Sequence, residues 1–334
     1  MSITPEPKRK RKVLKDIIPL KTPFTIFIDT CDKCVFHCEF CPCNNSIDAK
    51  DVRHKIMSFD LFKKIIDDMT YFNEKVRVVS LYKYGEPLLN PHFPDMLKYL
   101  RDKNICDEIR VTSNGYLLNK KLCEKLVNNG LDLFRLSLYG LSNKEYFLNT
   151  GVKVNYDKLK DNISYLYNYS KKNGGNLKVS VKAVPSFITS DEKLEQLNNE
   201  FSNISDYLYV DNIYDLWPKY SFANKYEELS YAQRKYVQNN QISLCSYLFT
   251  TMMIFSNGDV GICDIDWKHE TKYGSILSSN LVDLWNGEIM KSLRLKFCQS
   301  KTPPIEFCTT CKKIFIDNLN NDRELIIERI LKNI

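Results

Sequence analysis

The chain has 334 residues, of which 43% are hydrophobic and 27% charged, and its 48 Lys and Arg against 41 Asp and Glu give a net charge of +7. Such a composition is typical of a globular protein of about two domains. No apolar run approaches the roughly 20 residues of a membrane span and the first residues lack the apolar core of a signal peptide, so we expect a cytoplasmic protein without membrane contact. The basic run KRKRK (Lys8–Lys12) is interpreted as a solvated tail, since no nucleic-acid-binding motif accompanies it.

Short apolar strands alternate with amphipathic helices between Thr22 and Asp215. This order predicts a parallel sheet of six units, either an incomplete barrel or a doubly wound sheet, with its functional site at the carboxyl ends of the strands. The predicted strands are Phe24–Asp29, Val76–Tyr82, Glu108–Asn114, Leu133–Gly140, Leu177–Val184 and Tyr207–Asp211. The predicted helices are Ser58–Tyr71, Phe93–Lys103, Lys120–Asn129 and Tyr156–Lys171, the first of them capped by Ser58.

The pattern changes after Trp217. Residues 216–244 are polar and rich in tyrosine, and we interpret them as a connector. In the next segment, Thr250–Asp264, strand-like flanks around Asn257-Gly258 predict a hairpin. This region is rich in cysteine and does not look like part of the barrel. The predicted divisions are therefore an extension at 1–23, the barrel at 24–215, the connector, and a small domain at 245–334 that ends in a helix.

Five of the twelve cysteines are crowded into DTCDKCVFHCEFCPCNN, Asp29–Asn45. In a reducing compartment, such a group indicates metal ligands or catalytic thiols before disulfides. The pairs Cys31/Cys34 and Cys38/Cys41 are compatible with zinc. Structural zinc sites, however, usually separate their pairs by about a dozen residues or more, whereas three residues intervene here. An iron–sulfur cluster is the better interpretation, because ferredoxin-like runs pack cysteines this closely.

The spacing Cys34-x3-Cys38-x2-Cys41, with Phe40 before the last cysteine, follows the first predicted strand. Here the chain resembles the radical S-adenosylmethionine (SAM) enzymes, whose signature is C-x3-C-x-aromatic-C. The resemblance implies a partial (β/α)6 TIM-like barrel. It also implies a 4Fe–4S cluster held by these three cysteines, with SAM chelated by the fourth iron beside Phe40. Cys31 and Cys43 are then bystanders.

Three further segments resemble that family after successive strands. The second strand ends in YKYGEP, which resembles the family's G-G-E-P segment and implies that Tyr84, Gly85 and Glu86 contact the SAM amino group. Tyr84 departs from the family, which usually has glycine at this position. TSNG after the third strand implies that Ser113 and Asn114 lie near the ribose, and RLSLYG on the fourth implies that Ser137 faces the ligand.

The second region resembles the auxiliary-cluster domain called SPASM, or twitch in its shortened form. The resemblance rests on Cys245-x12-Gly258-x4-Cys263, on Cys308-x2-Cys311 and on a WN-containing helix within Gly274–Arg294. It implies one auxiliary 4Fe–4S cluster held by Cys245, Cys263, Cys308 and Cys311. A zinc ribbon on the same cysteines is the alternative. Cys106 and Cys123 are expected to pack as small apolar residues.

The resemblance implies that SAM is cleaved reductively to a 5′-deoxyadenosyl radical, which takes hydrogen from a substrate. A flavodoxin or ferredoxin would donate the electron. The pattern is similar to that of dehydrogenases of the 2-deoxy-scyllo-inosamine type, so we expect an alcohol of a sugar, cyclitol or nucleotide-linked substrate to be oxidised, with the auxiliary cluster as electron acceptor. The alternatives are a peptide maturase, an epimerase with Cys298 as hydrogen donor, and a non-catalytic iron–sulfur or zinc protein.

Overall fold

The computed structural model describes residues 4–7, 13–45, 55–211, 217–220, 245–300, 303–311 and 323–332. The basic run Lys8–Lys12 lies outside the described residues, and so does the connector apart from residues 217–220. Within the described ranges, no helix is long and apolar enough to cross a membrane. The cytoplasmic location stays a prediction.

Six parallel strands form the wall of a partial barrel, which confirms the predicted fold class. They pair in chain order and are β1 (Thr25–Ile28), β2 (Val76–Ser80), β3 (Cys106–Ser113), β4 (Leu133–Leu138), β5 (Lys178–Ala183) and β6 (Tyr207–Val210). Each was predicted from its apolar run. Parallel pairing brings the carboxyl ends of the strands to one rim, and the loop that follows β1 carries the clustered cysteines.

Helices cover the outer face of this wall. Two short helices lie apart from this layer: α1 (Leu14–Ile17) precedes β1, and α2 (Pro42–Asn45) lies in the cysteine loop. The helices that alternate with the strands are α3 (Phe59–Met69), α4 (Phe93–Lys103), α5 (Lys120–Asn128), α6 (Asn143–Thr150), α7 (Tyr156–Lys172) and α8 (Asp191–Phe201). The predicted cap of α3 is confirmed, because Leu61 N donates to Ser58 Oγ at 3.2 Å. The sequence pattern missed α6 because Phe147 and Leu148 are exposed on it, so its apolar residues do not mark a buried face.

The second region continues the same sheet. β7 (Thr251–Ile254) pairs in parallel with β1, in the register Thr25↔Thr251 to Ile28↔Ile254. β8 (Asp259–Gly261) and β9 (Lys272–Ser275) follow in antiparallel order and complete a sheet of nine strands. The predicted hairpin is confirmed at Gly258, whose φ of +86° favours glycine. No local sequence signal indicates the pairing of β1 with β7, and the domain limits stay a prediction.

Short helices pack beside this extension of the sheet. They are α9 (Tyr247–Thr250), α10 (Leu281–Asn286), α11 (Glu288–Gln299), α12 (Glu306–Thr309) and α13 (Arg323–Lys332). α10 contains the WN pair, and Trp285 is fully buried while its indole Nε1 donates to Leu20 O at 2.8 Å. The segment before β1 is thereby fixed against the second region.

We expect Ile254→Ala to destabilise β1 together with β7. Ile254 is fully buried, so its truncation should cost about 2–5 kcal/mol of unfolding free energy. Because β1 and β7 share a ladder, hydrogen exchange should accelerate at the amides of both strands. Leu277→Ala is the matched control, since Leu277 is 70% exposed and should leave both strands protected. Faster exchange restricted to β7–β9 would contradict a shared folding unit.

Candidate active site

The structure gathers the predicted residues of the first site around one pocket at the carboxyl ends of β1–β4. All ten line it: Cys34, Cys38, Phe40, Cys41, Tyr84, Gly85, Glu86, Ser113, Asn114 and Ser137. They come from the ends of β3 and β4 and from the loops that follow β1, β2 and β3, up to about 100 residues apart in the chain, and they meet because the strands are parallel. Their roles in binding SAM and the cluster stay predictions, but the ten residues lie close enough together to form one site.

Of the pocket thiols, Cys38 is buried and Cys34 is half-buried and receives polar contacts. Phe36 N donates to Cys34 Sγ at 3.4 Å, and Asn114 Nδ2 lies 3.8 Å from the same sulfur. Burial raises the pKa of Cys34 and of Cys38 to about 12, and the charge of Glu86 adds to the effect on Cys34. Both groups are therefore neutral thiols until iron, which requires thiolate ligands, supplies positive charge. N–H donors directed at sulfur suit such a ligand, so these residues fit an iron–sulfur cluster.

The two extra cysteines of the run have other neighbours. Cys31 is fully buried, its Sγ lies 3.6 Å from Lys33 O, and its backbone bridges to Ile56. Cys43 packs in an apolar cluster with Tyr84 and Phe255. Neither is among the described residues that line the pocket. This arrangement agrees with the expected bystander roles, which stay predictions.

Gly85 lets the cysteine loop lie directly against the end of β2. A Cβ at this position would be 2.2 Å from Cys31 O and 2.5 Å from Lys33 O. Glu86 N also donates to Lys33 O at 2.7 Å. The family resemblance implies that Gly85 contacts the SAM amino group, and the structure shows that the backbone of the cysteine loop is its close neighbour.

Glu86 is buried and joins the ends of two strands. Its carboxylate accepts hydrogen bonds from Ser113 Oγ at 2.7 Å, Asn114 N at 2.8 Å and Leu88 N at 3.1 Å. Burial raises the pKa of Glu86 to about 7, although these bonds oppose the shift. A carboxyl group in this state gains from a cation placed beside it. The SAM ammonium predicted from the sequence has that charge.

The contacts of the Tyr84 side chain explain how the chain tolerates this large residue where the family usually has glycine. Its ring packs toward the second region and stacks on Phe255, with ring centroids 6.1 Å apart. Its hydroxyl donates to Cys263 O at 3.4 Å. The side chain thus extends from the pocket to the second cysteine group, where it contacts the backbone of Cys263.

The four cysteines predicted for the auxiliary site also lie together. Cys245, Cys263 and Cys311 pack with Ile265, and the pKa of Cys308 is raised by burial and by the neighbouring Cys245 and Cys311. Ile265 N donates to Cys263 Sγ at 3.5 Å. Among the described residues, no three Cys, His, Asp or Glu side chains surround a position for a single metal ion.

Cys298 lies on α11 and is 3% exposed. It packs in an apolar cluster with Phe249, Met290 and Cys308. Among the described residues it does not line the SAM pocket. The hydrogen-donor role stays a prediction, and the observed surroundings are those of a packed core thiol.

Three residues that the sequence reasoning missed connect the two sites. Lys83 Nζ lies 2.9 Å from Asp264 Oδ2, and their side chains are 15% and 6% exposed. Trp217 lines the SAM pocket and packs against Cys245, Cys263 and Cys311. Lys83 and Asp264 each adjoin a predicted site residue, but no sequence signal pairs positions so far apart.

We expect the Glu86 carboxyl to make stability fall as pH rises. Its pKa is about 7 in the folded chain and 4.5 for an ordinary glutamate. The stabilising contribution of the neutral group is complete below pH 4.5 and is lost as pH rises through 7, by roughly 3 kcal/mol. Urea unfolding of the wild type and of Glu86→Gln between pH 4.5 and 7.5 gives the free energy of unfolding of each. The wild-type value minus the Glu86→Gln value should fall as pH rises.

Glu200→Gln is the control for that experiment. Burial opposes the charge of Glu200, but hydrogen bonds from Lys160 and Tyr156 outweigh it, so the pKa of Glu200 is lowered. Its contribution is present above pH 4.5 and does not fall across this range. A wild-type-minus-Glu86→Gln difference that stays constant with pH would contradict the assignment to Glu86.

Known proteins are similar to this chain in sequence or in fold. A "tungsten-containing aldehyde ferredoxin oxidoreductase cofactor-modifying protein" of Pyrococcus furiosus is 25% identical over 200 residues, which is 58% of this chain and 52% of that protein. The chain thus spans about half the length of this relative. Streptococcus suis SuiB bound to its precursor peptide SuiA superposes with a TM-score of 0.62, at 21% identity over 91% of this chain and 72% of SuiB.

BtrN in complex with AdoMet and 2-DOIA superposes with a TM-score of 0.51, at 15% identity over 90% of this chain and 93% of BtrN. At these identities the two structures support the fold. The SPASM family model, an iron-sulfur cluster-binding domain, matches residues 245–312. Together the families imply SAM, a 4Fe–4S cluster and an auxiliary iron–sulfur cluster. The family model of the radical SAM superfamily matches residues 28–197, just over half of the sequence, and the chain belongs to that superfamily.

Proposed function

We propose that the protein is a radical SAM oxidoreductase that oxidises an alcohol of a small sugar, cyclitol or nucleotide-linked substrate. The observation that carries the proposal is the contact between the two cysteine sites through Trp217, Tyr84 and the Lys83–Asp264 pair. Oxidation of an alcohol to a ketone by this route releases a hydrogen atom, then a proton from the hydroxyl group and an electron. A second redox group beside the pocket gives that electron an acceptor.

When bound, SAM and the first cluster supply a 5′-deoxyadenosyl radical that removes hydrogen from an unactivated carbon. The residues of this chain position that chemistry. Cys34, Cys38 and Cys41 would hold three irons, Glu86 would pair with the SAM ammonium, and Ser113, Asn114 and Ser137 would bind the nucleoside. Phe40, stacked on Tyr139 with ring centroids 6.1 Å apart, forms an apolar wall of the pocket.

The auxiliary cysteines would hold the electron acceptor. The Lys83–Asp264 pair and the Tyr84 contact fix their segment against the end of β2, where the SAM pocket begins. A flavodoxin or ferredoxin remains the proposed electron donor to the first cluster. The BtrN complex with 2-DOIA is a precedent for a small molecule in this fold, and the SuiB complex is a precedent for a peptide.

Replacing Cys34, Cys38 or Cys41 with Ala should abolish SAM cleavage, because each would provide one of three iron ligands. Release of 5′-deoxyadenosine from anaerobically reconstituted protein with SAM and dithionite measures this. Cys31→Ala and Cys43→Ala are the matched controls and should retain cleavage. Loss of the cluster in either control would contradict the three-ligand site. Absence of 5′-deoxyadenosine from the wild type would instead favour a non-catalytic metal protein.

Replacing Cys308 and Cys311 together should separate radical formation from oxidation. SAM should still be cleaved, but the ketone should disappear because the substrate's electron has no acceptor. With substrate deuterated at the reacting carbon, the wild type should move the label into 5′-deoxyadenosine and yield a product two mass units lighter than unlabelled substrate. Full oxidation by the double variant would exclude the auxiliary route, as would zinc in place of iron at this site.

The same label experiment separates the alternative activities. An epimerase gives a product with the mass of the unlabelled substrate, and Cys298→Ala should then stop turnover after hydrogen abstraction. A dehydrogenase should tolerate Cys298→Ala with little loss of ketone, since Cys298 packs in the apolar cluster with Phe249 and Met290. A peptide maturase would give none of these products from sugars or cyclitols.

A further inference from the structure

Residues 4–7 lie against the free edge of the barrel wall. Leu208 N donates to Thr4 O at 2.9 Å, and the two residues form an isolated antiparallel bridge on β6. Two positions further along, Glu6 places its carboxylate on polar side chains of β4, β5 and β6. This segment therefore occupies part of the space that the strands enclose.

The Glu6 carboxylate is held by a complete set of donors. Arg135 binds it in a bidentate manner, with Nε 2.7 Å from Oε1 and Nη2 2.6 Å from Oε2. Ser180 Oγ donates to Oε1 at 2.6 Å, and Tyr209 OH lies 3.4 Å from the same oxygen. With Glu6 in place, the Arg135 and Glu6 side chains are 14% and 18% exposed. Such a fork of donors is the geometry that recognises a carboxylate or a phosphate.

These donors are built into the sheet and not into the segment that they hold. Thr112, Arg135 and Ser180 are register neighbours on β3, β4 and β5. Arg135 Nη1 also donates to Tyr82 OH at 3.3 Å and to Thr112 Oγ1 at 3.2 Å. The guanidinium would thus keep its orientation if the carboxylate were replaced by another anion.

The position of Arg135 connects this group of donors to the SAM pocket. Tyr82 and Thr112, its two partners, both line that pocket. Ser137, two residues after Arg135 and about 7 Å further along β4, lines it too. A molecule that reached from the pocket toward the interior of the barrel would meet Arg135 within that distance.

Charge favours an anion at this point. Burial opposes the ionisation of Glu6, but the hydrogen bonds and charge of Arg135 outweigh it and hold the pKa of Glu6 below its usual value. A half-buried guanidinium left without its partner is costly, so departure of Glu6 requires a replacement anion. Lys182 Nζ on β5 lies 3.5 Å from Asp211 Oδ2, and Arg110 on β3 is paired with Glu108, so the guanidinium of Arg135 is the charge that attracts an anion here.

We propose that Arg135, Ser180 and Tyr209 form an oxyanion subsite for the substrate, and that Glu6 occupies it as an internal stand-in until substrate displaces it. The ligand is a molecule that carries a carboxylate or phosphate at one end and its reacting C–H bond at the other. The identification of this anion as substrate rests on the proposed function. The subsite itself and its occupation by Glu6 do not.

The test uses the full chain with Glu6→Ala and needs neither SAM nor the cluster. Thermal unfolding is followed while sodium acetate or sodium phosphate replaces sodium chloride at constant ionic strength. Glu6→Ala should unfold at lower temperature than the wild type and be restabilised saturably by at least one of the two anions. The apparent dissociation constant of the stabilising anion should be at least tenfold lower for Glu6→Ala than for the wild type, because Glu6 competes with the anion in the wild type. The double variant Glu6→Ala/Arg135→Gln should show no saturable response.

Glu200→Ala is the matched control. Glu200 is a similarly half-buried glutamate that accepts from Lys160, Tyr156 and Gln196, at a distance from the barrel interior on the helices. Its loss should destabilise the chain without creating an anion response. A response to acetate alone indicates a carboxylate substrate, and a response to phosphate alone indicates a phosphate ester. Equal responses in Glu6→Ala and the double variant, or no response in Glu6→Ala, would overturn the subsite.

A second measurement on the wild type applies if Glu6→Ala does not fold. An anion that takes Arg135 should release residues 4–7 and accelerate hydrogen exchange at the Leu208 amide, which bonds to Thr4 O. Chloride at the same ionic strength should not. Unchanged exchange at saturating acetate and phosphate would mean that Glu6 is a structural ion pair, and would overturn the proposal. Failure of SAM cleavage would instead reject the proposed function and leave these results intact.

Discussion

The contact between the cysteine loop and the end of β2 is the constraint on which the site depends. Gly85 has no side chain, so the backbone at Cys31 and Lys33 can pass over it, and Glu86 N fixes the loop by donating to Lys33 O. The Glu86 carboxylate then fixes the end of β3 through Ser113 and Asn114. Gly85 and Glu86 thereby hold together the cysteine loop and the chain segments at the ends of β2 and β3. The distance between the pocket thiols and the side chains expected to face the nucleoside is fixed as a result.

The second region depends on the same turn. Tyr84 and Lys83 immediately precede Gly85 and contact Cys263 O and Asp264. One short segment at the end of β2 therefore reaches both cysteine groups. Tyr84, where the family usually has glycine, extends the contact between the end of β2 and the second region. It does not fill the pocket, because the Tyr84 ring packs on Phe255.

Much of this could be predicted from the sequence because the signals are local. Apolar runs gave all six barrel strands, and cysteine spacing with strand-end motifs gave residues that line one pocket. Apart from α6, whose apolar residues Phe147 and Leu148 are exposed, the features that were missed depend on pairs distant in the chain. Examples are the β1–β7 ladder, the Lys83–Asp264 pair and the insertion of Glu6 beside Arg135. Each involves residues that are individually ordinary, and only folding makes them neighbours.

The shared sheet has a consequence for how the two regions can be divided. β1 lies between β2 and β7, and its ladder to β7 covers all four of its residues. A fragment that ended before β7 would leave one side of β1 with unpaired backbone N–H and C=O groups, next to the cysteine loop. Exposed strand edges of this kind recruit other chains and lead to aggregation. The second region, through β7, thus also protects β1 from pairing with strands of other molecules.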